Sequence, residues 1–164
     1  MLTFGLLVLL SGCSSFINRL IVRSIQRVGD PIDAPQQMIT DPVSQTADVA
    51  VSWVGHATTV VQIRDKIFIT DPLLTNTVGI ILKRLVLPAV NPDSLDRVDY
   101  TLVSHTHFDH FSFGSLDLLP KNGTLLIPLG ALQYLPEFGF HKVREMKPWE
   151  VEEENGVRVT AVPV

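Results

Sequence analysis

The chain has 164 residues, the length of one domain, and is 46% hydrophobic and 18% charged; that balance excludes intrinsic disorder and collagen and predicts a packed core. The formal net charge of −4 leaves no overall basic field to gather nucleic acid, so anion affinity has to come from a local site. The single cysteine excludes an intrachain disulfide framework and a cysteine-rich zinc module.

The apolar run over 4–10 is, with its flanks, about a dozen residues long, short of the ~20 needed to cross a bilayer as a helix. It reads as the hydrophobic stretch of a secretory signal. Leu10-Ser11-Gly12-Cys13 then places small residues directly before the only cysteine. This resembles the lipobox of bacterial lipoproteins, although Met1-Leu2-Thr3 lacks the usual Lys or Arg. The resemblance implies a signal peptide over 1–12, lipidation of Cys13 and residence on the extracytoplasmic face of a bacterial membrane. After Ser14-Ser15, which can cap a helix, Phe16, Ile17, Leu20, Ile21, Ile25 and Val28 recur on one side. Arg19, Arg23 and Arg27 recur at four-residue spacing. A basic amphipathic helix of this kind, facing anionic headgroups, would reinforce a lipid anchor. Residues 13–47 are thus expected to form a lipid-anchored helix and linker, with Pro31, Pro35 and Pro42 interrupting regular structure.

Folded text begins near residue 48 and continues to 164. Strands are predicted over 49–54, 59–63 and 67–70, with Arg64-Asp65-Lys66 as a hairpin turn and Asp71-Pro72 as the stop. Residues 73–96 read as a loop with a helical turn. A strand over 98–104 follows, then a short helix over 115–119, a strand over 124–127, a helix over 129–135 and strands over 142–146 and 157–164. This order predicts a mixed α/β fold with helices on sheet faces.

The strand over 98–104 runs directly into His105-Thr106-His107-Phe108-Asp109-His110, which holds three of the five histidines. Imidazole and carboxylate are the donors that borderline divalent metals favour. Alternate residues of extended backbone point the same way, so His105 and His107 can converge on one ion. Asp109 and His110, where the chain must turn, can reach a second. A site of His and Asp without cysteine is the pattern that keeps a position open for water. His56, in Val54-Gly55-His56-Ala57-Thr58, reads as a turn residue engaged in hydrogen bonding or packing rather than as a ligand. His141 has no supporting context. Asp71 can cap a turn or hold the metal-binding histidines from behind.

Ser104-His105-Thr106-His107-Phe108-Asp109-His110 resembles the signature of the metallo-β-lactamase superfamily. With Trp53-Val54-Gly55-His56-Ala57-Thr58, Ile69-Thr70-Asp71-Pro72 and Trp149, it resembles in particular the branch containing the N-acylphosphatidylethanolamine-hydrolysing phospholipase D and bacterial lactonase-like proteins. The resemblance implies an αββα sandwich with two divalent metal ions, zinc being the expected metal, where the sheets meet. It implies His105 and His107 on the first ion and Asp109 and His110 on the second, with Asp71 supporting them. The reaction implied is hydrolysis of a phosphodiester or lipid-like substrate by a hydroxide made available at neutral pH through coordination, and Asp109 would also orient that nucleophile.

Three further ligands of that family, a His, a bridging Asp and a last His, have no counterpart here. Residues 48–164 are therefore expected to be a partial domain, the N-terminal half of the αββα sandwich. A half sandwich leaves one face of its sheet unburied and each ion with about two protein ligands. Weak metal binding and little activity of the chain alone are expected, unless a second polypeptide completes the site. The competing expectation is a non-catalytic, membrane-tethered remnant or binding module with an incomplete metal site. A redox protein with non-haem iron would need further ligands and an electron partner.

Overall fold

The structure, a computed structural model, describes residues 15–27, 29–79 and 82–163. Cys13 and the apolar run before it lie outside the described residues. Within them, no helix is long and apolar enough to cross a membrane.

Helix α1 spans Ser15–Gln26, where the apolar and basic periodicities coincide. The arm that follows is not free chain. Asp33 and Ile39 form isolated bridges with Val86 and Val90, Ile39 and Val43 pack against the core, and the Gln62 side chain bonds the backbone of Ser44 in both directions at 2.7 and 3.0 Å.

The centre of the molecule is a mixed sheet. Strands β1 (Val49–Gly55), β2 (Thr58–Ile63) and β3 (Lys66–Thr70) form the predicted antiparallel meander. Three strands then join in parallel: β6 (Tyr100–Leu102), β7 (Thr124–Pro128) and β8 (Lys142–Met146), giving the order β1-β2-β3-β6-β7-β8. Of the parallel strands, β7 is buried on both faces and reads as a continuous apolar run in Leu125-Leu126-Ile127, whereas β8 at the sheet edge carries Lys142, Glu145 and the exposed Arg144. Between β3 and β6 the expected loop carries a two-residue strand pair, β4 (Thr77–Val78) with β5 (Leu82–Lys83), and its helical turn is the 3-10 segment Pro92–Ser94. Helix α2 spans Phe113–Leu118.

Two expected elements differ. The helix expected over 129–135 is reduced to a 3-10 turn at Leu132–Tyr134. Pro128 and Pro136 bracket the segment, and Gly130 sits at φ 87°, so too few helical residues remain to propagate a helix. The strand expected over 157–164 ends at Thr160. It is β10 (Val157–Thr160), paired with β9 (Val151–Glu154) in a hairpin outside the main sheet. Its turn is Asn155-Gly156, both at positive φ (52° and 77°), the dipeptide that such two-residue turns favour.

The main core lies on one sheet face, where Val54, Val60, Ile67 and Ile69 meet Leu116 of α2, Phe111 and Leu125. On the opposite face a smaller cluster of Phe68, Tyr100, Leu126 and Met146 is covered by Val157 and Val159 of the hairpin. That cover does not reach the sheet edge. Val49, Val51 and Trp53, alternate residues of β1, are exposed, as expected for a sheet lacking a second layer there. Gly123, before β7, is required by close approach. A Cβ there would lie 2.1 Å from the Val98 carbonyl oxygen.

Candidate metal centre

Brought together at the carboxyl ends of β3 and β6, Asp71 and Ser104 found the site. In open α/β sheets this end of the strands is where ligands collect. Asp71 is almost buried and sits at φ 39°, and its amide N–H donates to the Leu102 carbonyl at 2.8 Å, which stitches the two strand ends together. Its carboxylate then accepts three hydrogen bonds: from the Ser104 amide at 2.7 Å, from the Ser104 hydroxyl at 2.7 Å, and from His110 Nδ1 at 2.9 Å. Placing the proton of His110 on Nδ1 leaves Nε2 with a free lone pair, the arrangement by which carboxylates fix the tautomer of a metal-binding histidine.

The chain beyond Ser104 turns sharply, with the amides of His110 and Phe111 both donating to the His107 carbonyl at 3.0 and 2.7 Å. This turn sorts the donors into two sets. In the first, His105 Nε2 and His107 Nδ1 are 3.1 Å apart, their rings edge to face with centroids at 4.6 Å. The Ser104 hydroxyl lies 2.9 Å from His105 Nδ1, so the Asp71 carboxylate reaches His105 through that serine. In the second set, Asp109 Oδ2 lies 2.9 Å from His56 Nε2 and 3.5 Å from His110 Nε2. Donor atoms of His56, Asp109 and His110 all fall within 4.8 Å of one another, close enough to share one ion. The sets abut, since the rings of His105 and His110 are 4.0 Å apart.

The donor chemistry suits a divalent metal such as zinc. Two nitrogen or oxygen ligands about 2.1 Å from a tetrahedral ion stand roughly 3.4 Å apart, and the donor spacings in both sets lie near that value. Imidazole nitrogens and a carboxylate without sulfur match zinc and its first-row neighbours rather than calcium or magnesium.

His56 reaches the site from a residue 53 positions away in the chain. It occupies the turn between β1 and β2 at φ 55°, next to Gly55 at φ 125°, and the Trp53 indole N–H donates to the His56 carbonyl at 2.9 Å, holding the turn. The hydrogen bond expected for His56 is thus to a site carboxylate. His141 lines a separate cavity with Lys142 and Glu154, and Trp149 is exposed at φ 68° before the β9–β10 hairpin.

Electrostatics follow from this crowding. Burial lowers the pKa of His105, and the neighbouring His110 and His107 push it further the same way. Burial alone would raise the pKa of Asp109. A backbone hydrogen bond, the hydrogen bond with His56 and the charge of His110 and His56 together outweigh that, so the carboxyl lies below its usual value. Both shifts favour the metal-ready form of the group, neutral imidazole and ionised carboxylate.

Phe108 carries no sequence signal for a part in the site, and the arginines of α1 are expected from sequence to face lipid. In the structure Phe108, Arg19, Arg23 and Arg27 line one cavity together with His56 and Asp109. The four-residue spacing of the arginines was the signal that they share a face; which surface that face meets is set by where α1 docks.

A mixed sheet with His and Asp donors gathered at the carboxyl ends of its central strands defines a class, an α/β domain with a metal-binding edge. The chain belongs to the β-lactamase superfamily, whose domain model matches residues 67–164. An uncharacterised protein of Mycobacterium tuberculosis is 32% identical over 99 residues, covering 56% of this chain and 26% of its own length. The N-acyl-phosphatidylethanolamine-hydrolyzing phospholipase D 1 of Caenorhabditis elegans is 26% identical over 138 residues, 75% of this chain and 39% of that protein. Among solved structures, a possible metal-dependent hydrolase from Veillonella parvula superposes with a TM-score of 0.56 at 25% identity, over 68% of this chain and 47% of that one. The chain therefore spans less than half the length of each of these relatives.

Proposed function

We propose that the protein is a metal-dependent hydrolase acting on a phosphodiester of phospholipid type. The observation that carries the reading is the pair of adjoining donor sets held from behind by one nearly buried carboxylate, Asp71. Divalent ions bound there would supply Lewis acidity and water acidified toward neutral pH. His105 and His107 would hold one ion; Asp109 and His110, with His56 beside them, would hold the other. Asp109, kept ionised by its neighbours, is placed to accept a hydrogen bond from the attacking water and orient it. His110 is kept from rotating by Asp71.

Each ion would receive only two or three donors from these residues, so a durable centre would need further ligands, from a longer polypeptide or a second chain. The amphiphilic surroundings support a lipid-like substrate. Phe108 lines both the arginine-lined cavity and a second one of about 660 Å³ that Phe111, Phe113 and Tyr134 also line, an aromatic surface suited to the apolar part of an amphiphile. The similarity to the nematode phospholipase D points the same way. We propose also that Cys13 carries lipid and that the protein works at the extracytoplasmic face of a bacterial membrane.

The test is metal content and hydrolysis measured together, on protein purified from its own cells. About two zinc ions per chain, with turnover of bis(p-nitrophenyl) phosphate and of N-acylated phosphatidylethanolamine, is the expected result. Turnover of a lactone or amide alone would replace the phosphodiester assignment. Metal-free protein without hydrolysis would leave a tethered binding module.

A further inference from the structure

The arginine stripe of α1 faces the metal edge of the domain. Arg19, Arg23 and Arg27 line a cavity of about 1160 Å³ together with His56, Phe108 and Asp109. At 1.5 Å rise per residue, four-residue spacing sets the three side chains on one face about 6 Å apart along the axis. Among the described residues, Arg27 is ion-paired with Asp30 at 4.0 Å, whereas Arg19 and Arg23 have no acidic partner. Lys83, on the same cavity, donates to the Asp30 carbonyl. Among the described residues of the lining, the only acidic group is Asp109, already bonded to His56. In a chain of net charge −4, two unpaired guanidinium groups over a cluster of metal-type donors form a local anion trap.

We propose that Arg19 and Arg23 bind the phosphate of the substrate and hold its phosphorus against the His56, Asp109 and His110 donors, making α1 the specificity wall of the site. The proposal rests on the phosphodiesterase reading given above. Guanidinium groups suit this role because their planar donor fork matches two phosphate oxygens at once. The cavity also presents Val78, Leu82 and Leu85, apolar surface for the part of an amphiphile next to its phosphate. Exposed Ile25 stands about 160° round the helix from Arg23, so the helix can meet lipid on one side and the cleft on the other. The phosphate can come from a lipid headgroup or from a soluble diester, since both present the same oxygens.

The test compares the full-length, zinc-loaded protein with an Arg19→Gln/Arg23→Gln double variant, using inorganic phosphate as probe in calorimetric titrations at low salt. Phosphate affinity should fall about tenfold in the double variant, with the loss shrinking as salt is raised. Zinc content and melting temperature should not move. The Arg19→Lys/Arg23→Lys pair, which keeps the charge but not the planar fork, should recover only part of the affinity, a graded return that misfolding would not give. A rise in KM for both bis(p-nitrophenyl) phosphate and phospholipid would assign the arginines to phosphate from either source; a rise for phospholipid alone would assign them to the headgroup.

Unchanged phosphate affinity overturns the proposal. So does loss confined to binding of phosphatidylglycerol vesicles, which would turn the arginines back to the membrane surface. Arginine-dependent phosphate binding in a protein that hydrolyses no phosphodiester would support the anion site while removing the hydrolase reading.

Discussion

The two donor sets differ in how they are built. His105 and His107 come from one loop, two residues apart, and their separation of 3.1 Å is set by the local backbone. His56, Asp109 and His110 are gathered from two loops, with a turn of the first hairpin lying across the histidine loop. The first set is cheap to form but stops at two donors. The second reaches three because long-range folding delivers His56. Both depend on Asp71, directly through His110 and by way of Ser104 for His105. A carboxylate at a strand end thus supports two donor sets that share no residue.

Replacing Asp71 should therefore erase the distinction between the sets, and it is the largest effect expected. Asp71→Ala leaves the Ser104 amide, the Ser104 hydroxyl and His110 Nδ1 without their acceptor in an almost buried position. The loss is expected at about 2–4 kcal/mol of stability, read from urea unfolding, with metal binding weakened at both donor sets. Retention of full metal content would show that the histidines are held in place without it.

His107→Ala and His56→Ala should separate the sets. The His107 variant loses one donor of two, so the first ion should go, metal content should fall by about one per chain and hydrolysis should be abolished. The His56 variant leaves Asp109 and His110, still supported by Asp71. Its affinity for the second ion should fall roughly 10- to 100-fold, the range found when a group supporting a ligand is removed, while the first ion is unaffected. If His56→Ala empties neither ion yet slows turnover, His56 orients Asp109 and does not bind metal. Equal losses in both variants would break the comparison, because the two ions would then bind as one cooperative unit.

This contrast also explains what could be read in advance. His105, His107, Asp109 and His110 are visible in sequence because their adjacency is itself the signal, and an extended strand end that turns needs no tertiary information. The meander before them is equally legible, its alternation and turn residues being local. The position of His56 beside Asp109 is not, because it depends on how the β1–β2 turn packs over a loop 53 residues later. The reduction of the 129–135 helix was latent in Pro128, Gly130 and Pro136, whose combined cost outweighs the apolar spacing of Leu129, Leu132 and Leu135. Asn155-Gly156 carried the signal for the second hairpin, and it outranks the continuous apolar reading of 157–164.

The smallest effect concerns pH and distinguishes the sets in the metal-free protein. His105 lies in the first set, and burial with its histidine neighbours lowers its pKa from 6.5. The unfolded chain therefore binds this proton more readily than the folded one, so stability rises with pH through the interval just below 6.5 and the gain is complete above it. For Asp109 of the second set the folded pKa lies below 3.8. Its contribution is present above that value and fades as the pH falls through the lowered folded pKa. These two groups should thus respond in separate windows, just below 6.5 for His105 and below 3.8 for Asp109. Proton NMR titration of the His105 ring should give a midpoint under 6.5, and His107→Ala should bring it back toward 6.5 by removing one of the neighbours that depress it. A midpoint above 6.5 would mean that the carboxylates, Asp71 and Asp109, dominate the field at His105, and the first set would then need a metal to expel its protons.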